Sequence, residues 1–366
     1  YDPAANHTEQ PMDLMFMNSI WVSDGYPPRD AWLSGYAISY YYLGYWMLTT
    51  LGRLAELPPA IAYNVGQASW FGLLLLGSFG IVYNLLLQDR GRTAAAPTTQ
   101  ATLGGLLAAV AVGLTGNLQS VIEWLYANGA KIDALIRWIL VYNFPEHASV
   151  CHAWYIDRGW WWWRSSRVFE DLDLNGNHIE VIDEFPIFSY VLGDNHPHVL
   201  AMPFALLAIG LALAIFWRRP APDAATFRQR LPALLPVGWG GLTLLWVAVG
   251  GLIFLTTWDF PPYWLLLMLC VFVAMWRTLP ADAKDRFGQS LLASGVVGGA
   301  TLLGTALIYL PYFLTAQSQA GGFLPNFFHP TRFSQFLVMF GALLLALLTL
   351  LLLAWRSRRP AWRRLG

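Results

Sequence analysis

Apolar stretches of roughly 20 residues, long enough to cross a bilayer core as helices, recur along this chain and leave it few ways to fold. They fall near residues 59–88, 100–116, 199–217, 234–256, 261–276, 289–311 and 335–355. Of the 366 residues, 56% are hydrophobic and only 12% charged, with a mean hydropathy of +0.45. That composition is far more apolar than a soluble globular domain. The spacing predicts an all-α polytopic membrane protein with about seven spans.

The charges between the spans predict orientation. Segments 89–99, 218–233, 277–288 and 356–366 hold the cations Arg90, Arg92, Arg218, Arg219, Arg228, Arg230, Arg277, Lys284, Arg286, Arg356, Arg358, Arg359, Arg363 and Arg364. Against these 14 stand four acids, Asp89, Asp223, Asp282 and Asp285, so the other side carries 8 cations and 18 acids of the 22 of each. The positive-inside rule makes the cationic side cytoplasmic. All seven histidines, His7, His147, His152, His178, His196, His198 and His329, fall on the opposite side. The expected organisation is an extracytoplasmic segment 1–58 with interfacial helices, a transmembrane pair over 59–116, a large extracytoplasmic loop over 117–198 and a five-span region over 199–366.

The stretch Ile38–Leu57 competes as a further span. Its Arg53, Glu56 and clustered tyrosines fit a helix lying along the membrane surface better. Cys151 and Cys270 lie at different expected depths and imply no disulfide framework. A chain that opens at Tyr1 without methionine, leader or first span is expected to be an internal piece of a longer protein.

Three outer segments concentrate the reactive residue types. The first carries Glu9 and Asp13, two carboxylates four residues apart that share a face if a helix begins there. They suit acid–base work or helix capping equally. The second, Gly193-Asp194-Asn195-His196-Pro197-His198, stands directly before a span. An aspartate and two histidines within five residues suit a divalent metal, a phosphate or proton transfer, and the plain alternative is a polar turn capping the next helix. The third places Asp259 between two apolar runs, where an unpaired carboxylate is disfavoured.

Trp160, Trp161, Trp162 and Trp163 precede Arg164-Ser165-Ser166-Arg167. The default reading is interfacial anchoring, while Arg164 and Arg167 beside indoles also suit a phosphate with an attached isoprenoid or sugar. Asp171-Leu172-Asp173-Leu174-Asn175-Gly176 opens like a calcium loop, but its twelfth position is Ile182. An acidic surface turn is therefore expected in place of a calcium site over 171–184.

Glu9-Gln10-Pro11-Met12-Asp13, the triple Tyr40-Tyr41-Tyr42, Trp163-Arg164-Ser165-Ser166-Arg167-Val168, Glu184-Phe185-Pro186, the Asp194-to-His198 element and Trp258-Asp259-Phe260-Pro261 together resemble the YYY membrane proteins of Chloroflexi and archaea, an uncharacterised integral-membrane family. That family is distantly similar to GT-C glycosyltransferases, which take a sugar from a polyprenyl-phosphate carrier at the outer membrane face. The resemblance implies Asp13, with Glu9 as alternative, as base or metal ligand. Substrate contacts are expected from Arg164, Arg167, Tyr40, Tyr41, Tyr42 and Asp259. A divalent ion (magnesium, manganese or zinc) held by Asp194, His196 and His198 is expected with them. The expected partners are membrane lipid and a polyprenyl-phosphate sugar, not nucleic acid. A transporter or channel and a non-catalytic membrane scaffold are the competing classes; the first requires polar residues lining a path through spans that are nearly free of charge.

Overall fold

The computed structural model describes residues 4–89, 98–141, 144, 162–173, 175–218, 226–280, 283, 285–317 and 330–362. His147, Cys151, His152, Trp160, Trp161, Leu174 and His329 lie outside the described residues, as do Arg90, Arg92, Arg219, Asp223, Asp282, Lys284, Arg363 and Arg364.

In chain order the helices are α1 (Gln10–Val22), α2 (Leu43–Leu54), α3 (Pro59–Asp89), α4 (Thr99–Leu114), α5 (Gln119–Ala127), α6 (Asp133–Ile139), α7 (Pro186–Leu192), α8 (Pro197–Trp217), α9 (Phe227–Leu234), α10 (Gly241–Ala248), α11 (Gly251–Leu255), α12 (Phe260–Thr278), α13 (Arg286–Ile308), α14 (Leu310–Thr315) and α15 (Phe333–Trp362). Strands β1 (Glu170–Leu172) and β2 (His178–Glu180) form an antiparallel hairpin, and β3 is Pro236–Trp239. Proline opens several helices: Pro11, Pro197, Pro261 with Pro262, and Pro311 all stand in first turns, where a missing N–H costs no hydrogen bond. Among the described residues six helical segments are long and apolar enough to cross a membrane, with α10 and α11 together counted as one, or seven if α4 and the short α5 count as one broken span.

Two expected spans are differently built. The run at 234–256 becomes β3 followed by α10 and α11, which are separated only by Val249 and Gly250 and together still make one candidate span, Gly238–Leu255. A Cβ on Gly250 would meet the Thr305 hydroxyl oxygen at 2.2 Å, so only glycine lets α13 approach there. The run at 289–311 stops as a helix at Ile308, and Pro311, which has no N–H to continue the ladder, starts α14 after Tyr309. The segment competing as an eighth span holds only the 12-residue α2, too short to cross.

The chain divides into two compact units, Tyr1–Gly113 with Leu192–Gln319, and Leu114–Val191 with Ala320–Gly366. In the first unit α3 packs on α8, α8 on α12, α12 on α13 and α10 on α13, while α1 and α2 pack on each other and on α3. Indole N–H groups bond carbonyls across these pairs: Trp70 to Leu200 at 3.0 Å, Trp246 to Ala300 at 2.9 Å and Trp264 to Gly298 at 3.2 Å. Interhelical hydrogen bonds matter here because hydrocarbon offers the helices no hydrophobic drive to associate.

The bundle's two ends differ in chemistry. At one end Arg230 donates to the Thr278 carbonyl, Arg277 to Phe216, Arg286 to Trp276 and Arg218 to Pro236. Guanidinium groups near helix C-termini satisfy orphan carbonyls and complement the helix dipole. At the other end lie Glu9, Asp13, Asp194, His196 and His198, together with a packed aromatic group of Tyr42, Phe254, Tyr309 and Tyr312. Within this unit, the expected segregation of cations from acids and histidines is a property of the fold.

The second unit centres on Ile139, Val141, Val168 and Val338. Gln335 ties it together, donating to the Leu140 carbonyl at 3.0 Å and accepting from the Glu170 amide at 3.3 Å.

Candidate functional site

The site assembles at the acid-bearing end of the first unit, where the start of α1 meets the turn before α8. Gly193, at φ +85°, makes that turn in a conformation other residues adopt only at a cost. The turn is then held from several sides. The Tyr63 hydroxyl on α3 donates to the Gly193 carbonyl at 3.1 Å and accepts from the Asn195 amide at 3.2 Å. Asn195 donates its side-chain amide to the Tyr63 carbonyl at 3.0 Å, and Gln10 donates to the Leu192 carbonyl at 2.9 Å.

Asp13 sits at the centre with no exposed surface. Tyr45 on α2 donates to it at 2.5 Å, and Tyr63 lies 3.4 Å from its other oxygen. Beside Asp13 lies the carboxyl of Asp194, which accepts the Thr8 hydroxyl at 3.0 Å. Burial first, and the adjacent Asp194 second, push the Asp13 carboxyl well above the usual carboxylate range, with the Tyr45 hydrogen bond opposing the shift in part. Tyr45 is itself raised, by burial and then by Asp13, so its hydroxyl stays a donor.

Beside this buried pair runs an accessible line of groups. Glu9, the N-cap of α1, has a side chain 54% exposed and lies 2.5 Å from Nε2 of His196. Nδ1 of His196 faces Nδ1 of His198 at 2.9 Å. With Glu9 ionised, His196 donates through Nε2 and accepts at Nδ1 from His198, a tautomer pattern that satisfies both short contacts. Tyr40 stacks on Phe16 and brings its hydroxyl to 3.4 Å from the same Nε2. His198 in turn lies within electrostatic reach of Asp259, at the N-cap of α12.

The residues singled out from sequence are thus partly brought together. Glu9, Asp13, Asp194, His196, His198 and Tyr40 share one neighbourhood, and Asp259 borders it through His198. Tyr42 turns away, edge-on to Phe254 at 4.6 Å between centroids, and Tyr41 leans on Tyr40. Asp194 points to Thr8 and Asp13 while the two imidazoles face each other, and among the described residues no three His, Cys, Asp or Glu side chains group as metal ligands.

Arg164 and Arg167 belong to the second unit. Arg164 is paired with Glu123, which also accepts from Gln119 at 2.7 Å. Arg167 bonds Glu180 at 2.8 Å and lies 3.8 Å from the Trp163 ring centroid. The segment resembling a calcium loop is the β1–β2 hairpin: Asp173 accepts from the amides of Asn175 and Asn177 and from the Asn177 side chain, which holds its carboxyl below the usual range.

Thr8, Gln10, Tyr45, Tyr63 and Asn195 complete the site without having been singled out. One signal pointed to two neighbours: Tyr63 and Gln67 stand one helical turn apart on one face of an otherwise apolar span, and Gln67 approaches the Asp194 carbonyl at 3.5 Å.

No curated protein and no solved structure matches the chain. The family model described as an uncharacterized membrane protein (DUF2298) matches residues 1–365, and the chain belongs to that family of membrane proteins.

Proposed function

We propose that this multi-pass membrane protein transfers a glycosyl group from a polyprenyl-phosphate donor to an acceptor hydroxyl at the extracytoplasmic end of its helices. The observation that carries the reading is the accessible Glu9 carboxylate, 2.5 Å from His196 and backed by His198, at one end of a membrane bundle. A carboxylate coupled to imidazoles is a base matched to neutral pH.

In this reaction the acceptor O–H proton passes to the Glu9–His196 pair as the acceptor oxygen attacks the anomeric carbon. The bond from that carbon to the phosphate oxygen breaks, and the polyprenyl phosphate leaves with its electron pair. Glu9 takes the base role because Asp13 has no exposed surface to offer a substrate. Asp13 and Asp194 instead fix the turn that aims His196, and Tyr40 orients its ring. Asp194 faces Thr8 while the His196 and His198 rings face each other, and no step of this reaction is assigned to a metal. Arg164 would have to leave Glu123 to meet a phosphate, and it has no part in the proton transfer.

Purified protein in lipid nanodiscs, given radiolabelled polyprenyl-phosphate hexoses and a panel of hydroxyl acceptors, tests the proposal. Wild type should bind a donor and release polyprenyl phosphate. Glu9→Gln and His196→Gln should each retain the donor but turn over about 10²-fold slower or less. Absence of donor binding by wild type would remove the glycosyltransferase reading, and full turnover by Glu9→Gln would remove the base assignment.

A further inference from the structure

A groove of about 560 Å³ runs between α3 and α8, within two of the helices fit to span a membrane. It is lined from Leu73 to Asn84 on α3 and from Pro203 to Trp217 on α8, which sets it toward the arginine-bearing end, away from Glu9 and His196. Its size is that of a small-molecule site.

Two glycines hold it open. A Cβ added to Gly80 or to Gly210 would have no neighbour within 4 Å. Other glycines on α3 and α4 are packed, although Gly72 is as open as Gly80: a Cβ on Gly66 would meet Leu48 at 2.5 Å, and one on Gly105 would meet Phe79 at 2.6 Å. The space at Gly80 and Gly210 is therefore not a close helix contact. The one amide side chain in the lining, Asn84, donates back to the Gly80 carbonyl at 2.7 Å, which meets part of its hydrogen-bonding need within α3. Leu73, 44% exposed, and Leu207, 48% exposed, leave the groove open sideways to the hydrocarbon around the helices. An occupant of this space is a hydrocarbon chain that arrives from the bilayer.

Two cations stand near the end of the groove, each donating to a carbonyl, Arg218 to Pro236 and Arg277 to Phe216. The groove ends at Trp217, an interfacial residue type, followed directly by Arg218. Arg277 stands beside it, with its guanidinium 4.9 Å from the Phe216 ring centroid. Cations at the boundary of an apolar slot complement an anionic headgroup whose tail lies in the slot.

We propose that the α3–α8 groove is a binding site for an anionic phospholipid, one acyl chain lying along Gly80 and Gly210 and the phosphate meeting Arg218 and Arg277. The site is independent of the glycosyl-transfer reading.

The test is native mass spectrometry of detergent-purified protein, delipidated and then offered phosphatidylglycerol or phosphatidylcholine. Wild type should retain phosphatidylglycerol stoichiometrically and not phosphatidylcholine. Gly80→Leu with Gly210→Leu fills space that has no neighbour to clash with, so the variant should unfold at or above the wild-type temperature yet lose the lipid. Arg218→Gln with Arg277→Gln changes no lining residue, although it removes donors to the Pro236 and Phe216 carbonyls, and at an unchanged unfolding temperature it should weaken phosphatidylglycerol retention. Undiminished lipid in a folded glycine-filled variant would overturn the site. Equal retention of phosphatidylcholine, or a polyprenyl phosphate recovered in place of phospholipid from the native membrane, would overturn its assignment to an anionic phospholipid.

Discussion

Asp13 shows how little a residue's type says about its role until its surroundings are known. Sequence places it four residues from Glu9 on a helix start, and from there either acid could serve as base. The fold separates them, burying Asp13 against Tyr45, Tyr63 and Asp194 and leaving Glu9 at the surface. Because burial raises the Asp13 pKa above its unfolded value of 3.8, the folded state holds a proton that the unfolded chain releases. Its contribution to stability is full below pH 3.8 and declines as pH rises through the folded pKa. Asparagine copies the neutral acid in shape and can accept from Tyr45. Asp13→Asn should therefore fold and flatten the pH dependence of thermal unfolding above pH 4. Asp13→Ala leaves the buried Tyr45 hydroxyl without its acceptor and should cost about 1–3 kcal/mol. A steeper pH dependence in the asparagine variant would contradict a raised Asp13 pKa.

Hydropathy reads the cost of transferring a segment to hydrocarbon and is blind to how two helices meet. The existence of the spans was therefore legible and their breaks were not. The apolar run at 234–256 hides the interruption at Gly250, set by the approach of Thr305 on another helix. The site divides in the same way. Glu9, Asp13, Asp194 and the two histidines are ionisable residues conspicuous in an apolar chain, whereas Tyr45 and Tyr63 look like ordinary interfacial aromatics. Only the tertiary fold aims their hydroxyls at Asp13. Helix pairing makes a sharper prediction at α12–α13. A Cβ on Gly298 would come within 1.9 Å of the Met268 sulfur and 3.2 Å of Trp264, whereas one on Gly295 of the same helix meets nothing within 4 Å. Gly298→Leu should lose at least about 2 kcal/mol or fail to assemble, through overpacking at the Trp264–Gly298 contact. Gly295→Leu should unfold like wild type. Equal behaviour of the two variants in detergent melts would mean that α12 and α13 do not pack through that face.

At the scale of the whole molecule, the segregation of charge now has a structural basis within the first unit. Arginines cap helix C-termini at one end, and the carboxylate–histidine group occupies the other. Which end faces the cytoplasm is a separate matter: the 14 cations against four acids in the segments assigned to the arginine side make that side the expected cytoplasmic one. Labelling with a membrane-impermeant maleimide resolves it, in intact cells whose protein carries Cys151→Ala and Cys270→Ala. Leu33→Cys, on the exposed segment between α1 and α2, should react from outside. Arg228→Cys, at the start of α9, should react only after the cells are permeabilised. The reverse pattern would put Glu9 and His196 in the cytoplasm. The grouping of helix ends would survive that result, because it rests on contacts and not on orientation. The proposed reaction would not, because it requires its base on the outer face.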